Sequence, residues 1–111
     1  MNIEVLYFAG CPSHGPTLDR IKQVLEEEGL SSVLTEVKVT DAAAAQALRF
    51  LGSPTVRVNA LDVEPAARSS TEYGMMCRTY IEDGNSTGVP SNLLIRAAVR
   101  EALARARDPS R

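Results

Sequence analysis

Three side chains in this 111-residue sequence are equipped for soft-nucleophile or imidazole chemistry: Cys11, Cys77 and the single histidine, His14. Cys11 and His14 lie together in "YFAGCPSHG" (7–15), between a short apolar run and an amphipathic stretch. A cysteine at such a strand-to-helix turn faces unpaired backbone N–H groups and the positive end of the helix dipole, both of which favour thiolate over thiol. His14, one turn along, has two roles open to it: protonated it stabilises a thiolate, neutral it accepts the thiol proton. The plainer alternative is a polar first-turn residue on the surface. In Cys11-Pro12-Ser13-His14 the position that would close a two-cysteine motif is histidine, so no disulfide forms within the motif.

Cys77 allows three readings. It is a distant second thiol if residues 60–76 fold back over Cys11. It joins Cys11 and His14 as a ligand for a soft ion such as Zn or Cu(I), with Met75 and Met76 nearby. Or it is simply buried on an apolar strand, the commonest fate of a free cysteine and the favoured reading. Asp62 and Glu64 flank Val63 in "DVEP" and read as solvated loop carboxylates, not a convergent acid–base pair. Tyr73 and Tyr80 read as core or rim aromatics. No glycine-rich phosphate loop follows a strand, so nucleotide binding has no support.

The elements that must position these groups follow from periodicity. "IEVLYF" (3–8) is an apolar run suited to a central strand covered on both faces. From Pro12 or Pro16 to Glu28, Leu18, Ile21, Val24 and Leu25 share a helical face, and Gly29 is a natural stop. "SVLTEVKV" (32–39) puts Val33, Thr35, Val37 and Val39 on one face of a strand. Thr40 or Asp41 caps a helix with Ala44, Ala47, Leu48 and Leu51 inward, ended by Gly52. "PTVRVN" (54–59) is a strand opening at a proline. Residues 60–76 carry no period. "CRTYIED" (77–83) is expected as a fourth strand antiparallel to 54–59, with Cys77, Thr79 and Ile81 on one face, and "GNSTGVP" as a loop. Ser91 caps a last helix running to about Arg107. The order β-α-β-α-β-β-α implies an α/β domain spanning 1–111, a four-stranded mixed sheet with three helices on its two faces. In that arrangement Cys77 begins its strand at the end remote from Pro54, so the two thiols are expected to stay apart.

Composition bounds the rest. Hydrophobic residues at 44% and charged residues at 23% fit one globular domain. A net charge of −2 gives no electrostatic case for nucleic acid or an anionic membrane. Five arginines from Arg96 onward make a locally basic tail, read as a solvated helix face fraying into "RDPSR". Glu4 interrupts the start, so no secretory leader is expected, and no run approaches the ~18 apolar residues of a membrane span. Two cysteines without an export signal point to reactive or buried thiols in the cytoplasm and not to a disulfide framework.

"FAGCP" at the first strand-to-helix turn, with "GSPT" opening the third strand, resembles the thioredoxin superfamily. "GSPTVRV" with "DVEP" is also similar to small bacterial thioredoxin-like proteins grouped with alkylmercury lyases, here with CxxH in place of CxxC. The resemblance implies that Cys11 caps the first helix as the nucleophile. It further implies that Pro54 is cis beside it, preceded by Ser53; a cis Pro54 would turn the Ser53 backbone to hydrogen-bond a substrate bordered by Pro12, with His14 assisting in one of the two roles above. The expected activity is thiol–disulfide oxidoreduction without a cofactor. A mixed disulfide on Cys11 would be resolved by an external thiol, small or protein-borne. The alternatives are a soft-metal carrier, for example for mercury, using Cys11, His14 and Cys77, and a redox-silent interaction module.

Overall fold

The apolar run at the N-terminus becomes strand β1 (Asn2–Tyr7), which lies between two partners because side chains on both of its faces find cover. It runs parallel to β2 (Val33–Lys38) and antiparallel to β3 (Thr55–Val58), so that Ile3 faces both Leu34 and Val58 across the ladders. Helix α1 (His14–Glu27) makes the crossover between β1 and β2, and α2 (Ala42–Ala47) joins β2 to β3. A two-residue strand β4 (Leu61–Asp62) completes a mixed sheet of order β2-β1-β3-β4. A 3₁₀ turn at Pro65–Ala67, a separate hairpin of β5 (Tyr80–Glu82) and β6 (Asn85–Thr87), and α3 (Asn92–Ala106) follow. The computed structural model describes residues 1–107, so the tail residues Asp108–Arg111 lie outside the described part. Among the described residues no helix is long and apolar enough to cross a membrane.

The architecture is α/β with a four-stranded mixed sheet and three helices, but the fourth strand is not the expected one. It is Leu61–Asp62, and "CRTYIED" contributes only Tyr80–Glu82, paired with residues expected to be loop. The phase of that segment is also inverted. Arg78 and Tyr80 are buried while Cys77, Thr79 and Ile81 are exposed, because Arg78 finds a buried carboxylate and the Tyr80 hydroxyl a buried carbonyl.

Two clusters cover the sheet. On one face Ile3, Val5, Val56 and Val58 pack with Ile21 and Val24 of α1 and Ile95 and Val99 of α3. On the other, Leu6 and Val39 pack with Ala45 and Phe50. With only six residues, α2 covers just one end of that face. This is why Val33, expected to point inward, is 65% exposed, while Leu34 turns to the larger cluster. Each fully buried side chain of this size contributes about 1.5–3 kcal/mol from apolar burial, so α1 and α3 hold the sheet chiefly through Ile21, Val24, Ile95 and Val99.

Helix ends fix the connecting loops. After α1, Gly29 adopts φ +65 and Leu30 N–H donates to Leu25 C=O at 2.9 Å, with Gly29 N–H on Glu26 C=O at 3.1 Å: a Schellman end. The same motif closes α2, with Phe50 N–H on Ala45 C=O at 2.9 Å, but here the left-handed residue is Arg49, φ +55. Gly52 therefore does not end this helix. The carbonyls of Leu48 and Arg49 are satisfied by the Arg57 guanidinium at 2.9 and 2.6 Å. Asp41 caps α2 through Ala44 N–H at 2.7 Å, and Ser91 caps α3 through Leu94 N–H at 3.0 Å.

The Arg68 hydrogen bonds hold the Glu101 carboxyl down at about 2, well below its ordinary 4.5, and tie α3 to the 3₁₀ turn. A carboxyl lowered by folding stabilises above its unfolded pKa, and that contribution fades as pH falls from about 5 towards 2. Glu101→Gln is expected to flatten this part of the acid limb of thermal stability. The effect stays under about 1 kcal/mol, because solvent screens a pair this exposed. An unchanged melting profile between pH 5 and 2 would contradict the assignment.

Candidate functional site

Cys11 sits in a tight turn between β1 and α1. Gly10 takes φ +82, Cys11 N–H donates to Phe8 C=O at 3.3 Å, and His14 N–H donates to Cys11 C=O at 3.3 Å. The helix begins at His14 with Ser13 as its N-cap residue, so Cys11 precedes the cap where it was expected to be the cap. Its residue is half-buried and its thiol free, whereas Pro12 is exposed. The loop before α3 presses on this corner. A Cβ on Gly88 would lie 2.7 Å from Ser13 Oγ, and Arg20 reaches the Pro90 carbonyl at 3.1 Å.

The Ser53–Pro54 peptide is cis, and this turn abuts the Cys11 turn directly: Phe8 N–H donates to Ser53 Oγ at 3.3 Å. Ser53 and Pro54 are both buried. The expectation that the Ser53 backbone is free to receive a substrate is corrected. Ser53 N–H donates to Met76 C=O at 2.8 Å, and Arg78 N–H donates to Ser53 C=O at 3.0 Å. Together they form a parallel bridge that sets Cys77 opposite Ser53. Further back, Gly74 N–H donates to Phe50 C=O at 3.0 Å, so residues 74–78 run as a strap beside 50–53. Met75 lines an open hollow of about 550 Å³ with Phe8, Ala9, Lys38, Val39 and Thr40. Cys77 is thus neither buried nor carried to the far end of a strand, and its thiol is exposed and free.

His14 is held by two contacts. Its ring stacks on Tyr7 with centroids 3.7 Å apart, and Nε2–H donates to Glu36 Oε1 at 2.8 Å. A carboxylate accepts only, so the proton belongs on Nε2 and the neutral ring presents Nδ1 as its acceptor. Among the described residues no group of three His, Cys, Asp or Glu side chains is placed to hold a metal ion, so Cys11, His14 and Cys77 are not gathered as one.

No family model, no curated protein and no solved structure matches this chain.

Beneath the Ser53–Pro54 turn lies a buried polar cluster that sequence reasoning missed. Arg78 grips Asp62 with both nitrogens at 2.7 and 2.8 Å, reaches Thr55 Oγ1 at 3.3 Å, and stacks on the Tyr80 ring at 4.3 Å. Tyr80 O–H donates to Pro54 C=O at 2.7 Å, and Thr55 O–H to Gly52 C=O at 2.6 Å. Burial opposes the Arg78 charge, but the Asp62 hydrogen bonds, with Tyr80 and Glu64 nearby, outweigh it and raise its pKa. Burial likewise pushes the Tyr80 hydroxyl up, keeping it a neutral donor. Asp62, read as a solvated loop carboxylate, is 6% exposed and anchors this support. Glu36 was missed too. Its only signal was a carboxylate inside a β-branched run.

Proposed function

We propose that this chain is a thioredoxin-like thiol redox protein in which Cys11 exchanges with disulfides. The observation that carries the reading is the abutment of two turns, Cys11 in one and Ser53–Pro54 in the other, joined by the Phe8–Ser53 hydrogen bond. The Cys11 thiolate attacks one sulfur of a disulfide R–S–S–R. A Cys11–S–S–R bond forms, the R–S bond breaks, and RS⁻ leaves to take up a proton. A second thiol then attacks the mixed disulfide and releases Cys11. A protein disulfide or a small thiol such as glutathione serves as the partner, and the reducing cytoplasm suits two free thiols. Glu36 orients His14 through Nε2, which leaves Nδ1 as the free acceptor of the neutral ring.

The test uses the Cys77→Ser protein, which leaves Cys11 as its sole thiol. On incubation with oxidised glutathione it is expected to gain one glutathionyl group, mapped to Cys11, and to return to the thiol on addition of reduced glutathione. Cys11→Ser should lower the exchange rate by at least about a hundredfold, since a hydroxyl does not open disulfides as a thiolate does. Absence of any adduct on Cys11 in the folded protein would overturn the reading.

A further inference from the structure

The thiol exchange proposed above needs a second thiol, and the strap supplies one at the edge of the site. Cys77 is the centre of the Ser53 bridge, flanked by hydrogen bonds of 2.8 and 3.0 Å on either side. Bridged residues are about 4.8 Å apart and put their side chains on the same face. The Ser53 side chain points to the Cys11 turn, because its Oγ receives the Phe8 N–H. The bridge therefore sets Cys77 beside Ser53, whose Oγ receives the N–H of Phe8, the residue whose carbonyl closes the Cys11 turn. Met75, two residues earlier on the strap, lines the hollow with Phe8, Ala9, Lys38, Val39 and Thr40.

The strap has no regular structure from 71 to 79 apart from that single bridge, and Met75, Met76 and Cys77 are all exposed. A disulfide needs Cα atoms about 4.4–6.8 Å apart, and a segment held by a few backbone hydrogen bonds can adjust to that.

We propose that Cys77 is the resolving thiol of this protein, so that Cys11 and Cys77 form a two-cysteine cycle although they stand 66 residues apart. This rests on Cys11 exchange as proposed above. Cys11 first takes half of a small disulfide as Cys11–S–S–R and releases RS⁻. The Cys77 thiolate then attacks Cys11 Sγ, the S–S–R bond breaks, and a second RS⁻ leaves. Across both steps R–S–S–R gains two electrons and two protons, and the protein loses two hydrogens as the Cys11–Cys77 disulfide. While the strap lies on Ser53, its own backbone occupies the groups at which an extended partner would pair.

An intramolecular thiol competes at an effective concentration of about a millimolar or more. With external thiol held at about a tenth of that, the Cys11 adduct should last at least about tenfold longer in Cys77→Ser than in the wild type. The experiment mixes reduced wild-type protein with one equivalent of oxidised glutathione, quenches with acid, and follows intact mass and linked peptides. Expected are a monomer lighter by two hydrogens, a Cys11–Cys77 cross-linked peptide, and two glutathione released per disulfide consumed. Cys77→Ser should release one and keep the adduct. Equal adduct lifetimes in the two proteins, or a disulfide-linked dimer as the product, would overturn the role of Cys77 and leave Cys11 exchange standing. No Cys11 adduct in Cys77→Ser would overturn both.

Discussion

Replacing Arg78 by methionine is expected to cost about 3–5 kcal/mol of folding stability, because it strands Asp62 without its partner inside the protein. That is a large share of the roughly 5–15 kcal/mol typical of a domain. Asp62 and Arg78 are each only 6% exposed, so neither charge can turn to water. The cation also stacks on Tyr80, whose hydroxyl holds the Pro54 carbonyl, so the loss should spread to the turn facing Cys11. Urea unfolding measures the first effect through the midpoint, and the Cys11 exchange rate the second. The pair Asp62→Leu with Arg78→Met should recover much of the stability, since an apolar pair has no stranded charge. A loss below about 1 kcal/mol in the single variant would mean that water reaches Asp62 after all.

Gly52→Ala is expected to cost about 1–3 kcal/mol and to loosen the strap, through two separable effects. Gly52 sits at φ +113, where a side chain strains the backbone whatever space surrounds it. Its Cβ would also lie 3.0 Å from the Met76 carbonyl oxygen and 3.0 Å from Arg78 Cβ. That oxygen cannot retreat without weakening its hydrogen bond from Ser53 N–H. Gly84→Ala provides the comparison: φ is +77, also left-handed, but nothing lies within 4 Å of the added carbon. The excess cost at Gly52 over Gly84 reports the packing of the strap. Amide exchange of Ser53 and Arg78 should quicken in Gly52→Ala alone. Equal costs, with unchanged exchange at those two amides, would mean that the strap does not rest on Gly52.

The elements that were legible in the sequence carry one apolar period and their own end signals. Strand β1, α1 with Gly29, and α3 with Ser91 are of this kind, as is the proline that opens the third strand. What was not legible depends on partners far away in the chain. The burial of Arg78 is decided by Asp62, sixteen residues earlier, and a charged residue on a strand otherwise reads as solvent-facing. Once Arg78 turns inward, Tyr80 follows and Cys77 and Ile81 turn out, which inverts the phase that alternation alone assigns. Likewise Arg49 in the left-handed conformation ends α2 early because Arg57 covers the freed carbonyls, a compensation no local pattern announces. Of the candidate site, the turn that holds Cys11 between β1 and α1 was legible from local sequence, and the cis Ser53–Pro54 peptide from the resemblance. The Glu36 contact to His14 and the Ser53 bridge to Cys77 required the sheet register and the route of the strap.

The shape of the sheet also bears on how the chain behaves among copies of itself. An unpaired outer strand is a template on which another chain can add, and long, flat, apolar edges are the hazardous ones. Here one margin, β4, is only two residues long and gives way at once to the 3₁₀ turn at Pro65. Ahead of Thr55, the amide and carbonyl of Ser53 are already taken by Met76 and Arg78, so a newcomer cannot bind them there. The opposite margin, β2, is six residues long but carries Thr35, Glu36 and Lys38, polar side chains that a neighbour would have to desolvate to extend the ladder. The arrangement that brings Cys77 to Ser53 therefore also guards this side of the sheet against cross-strand aggregation.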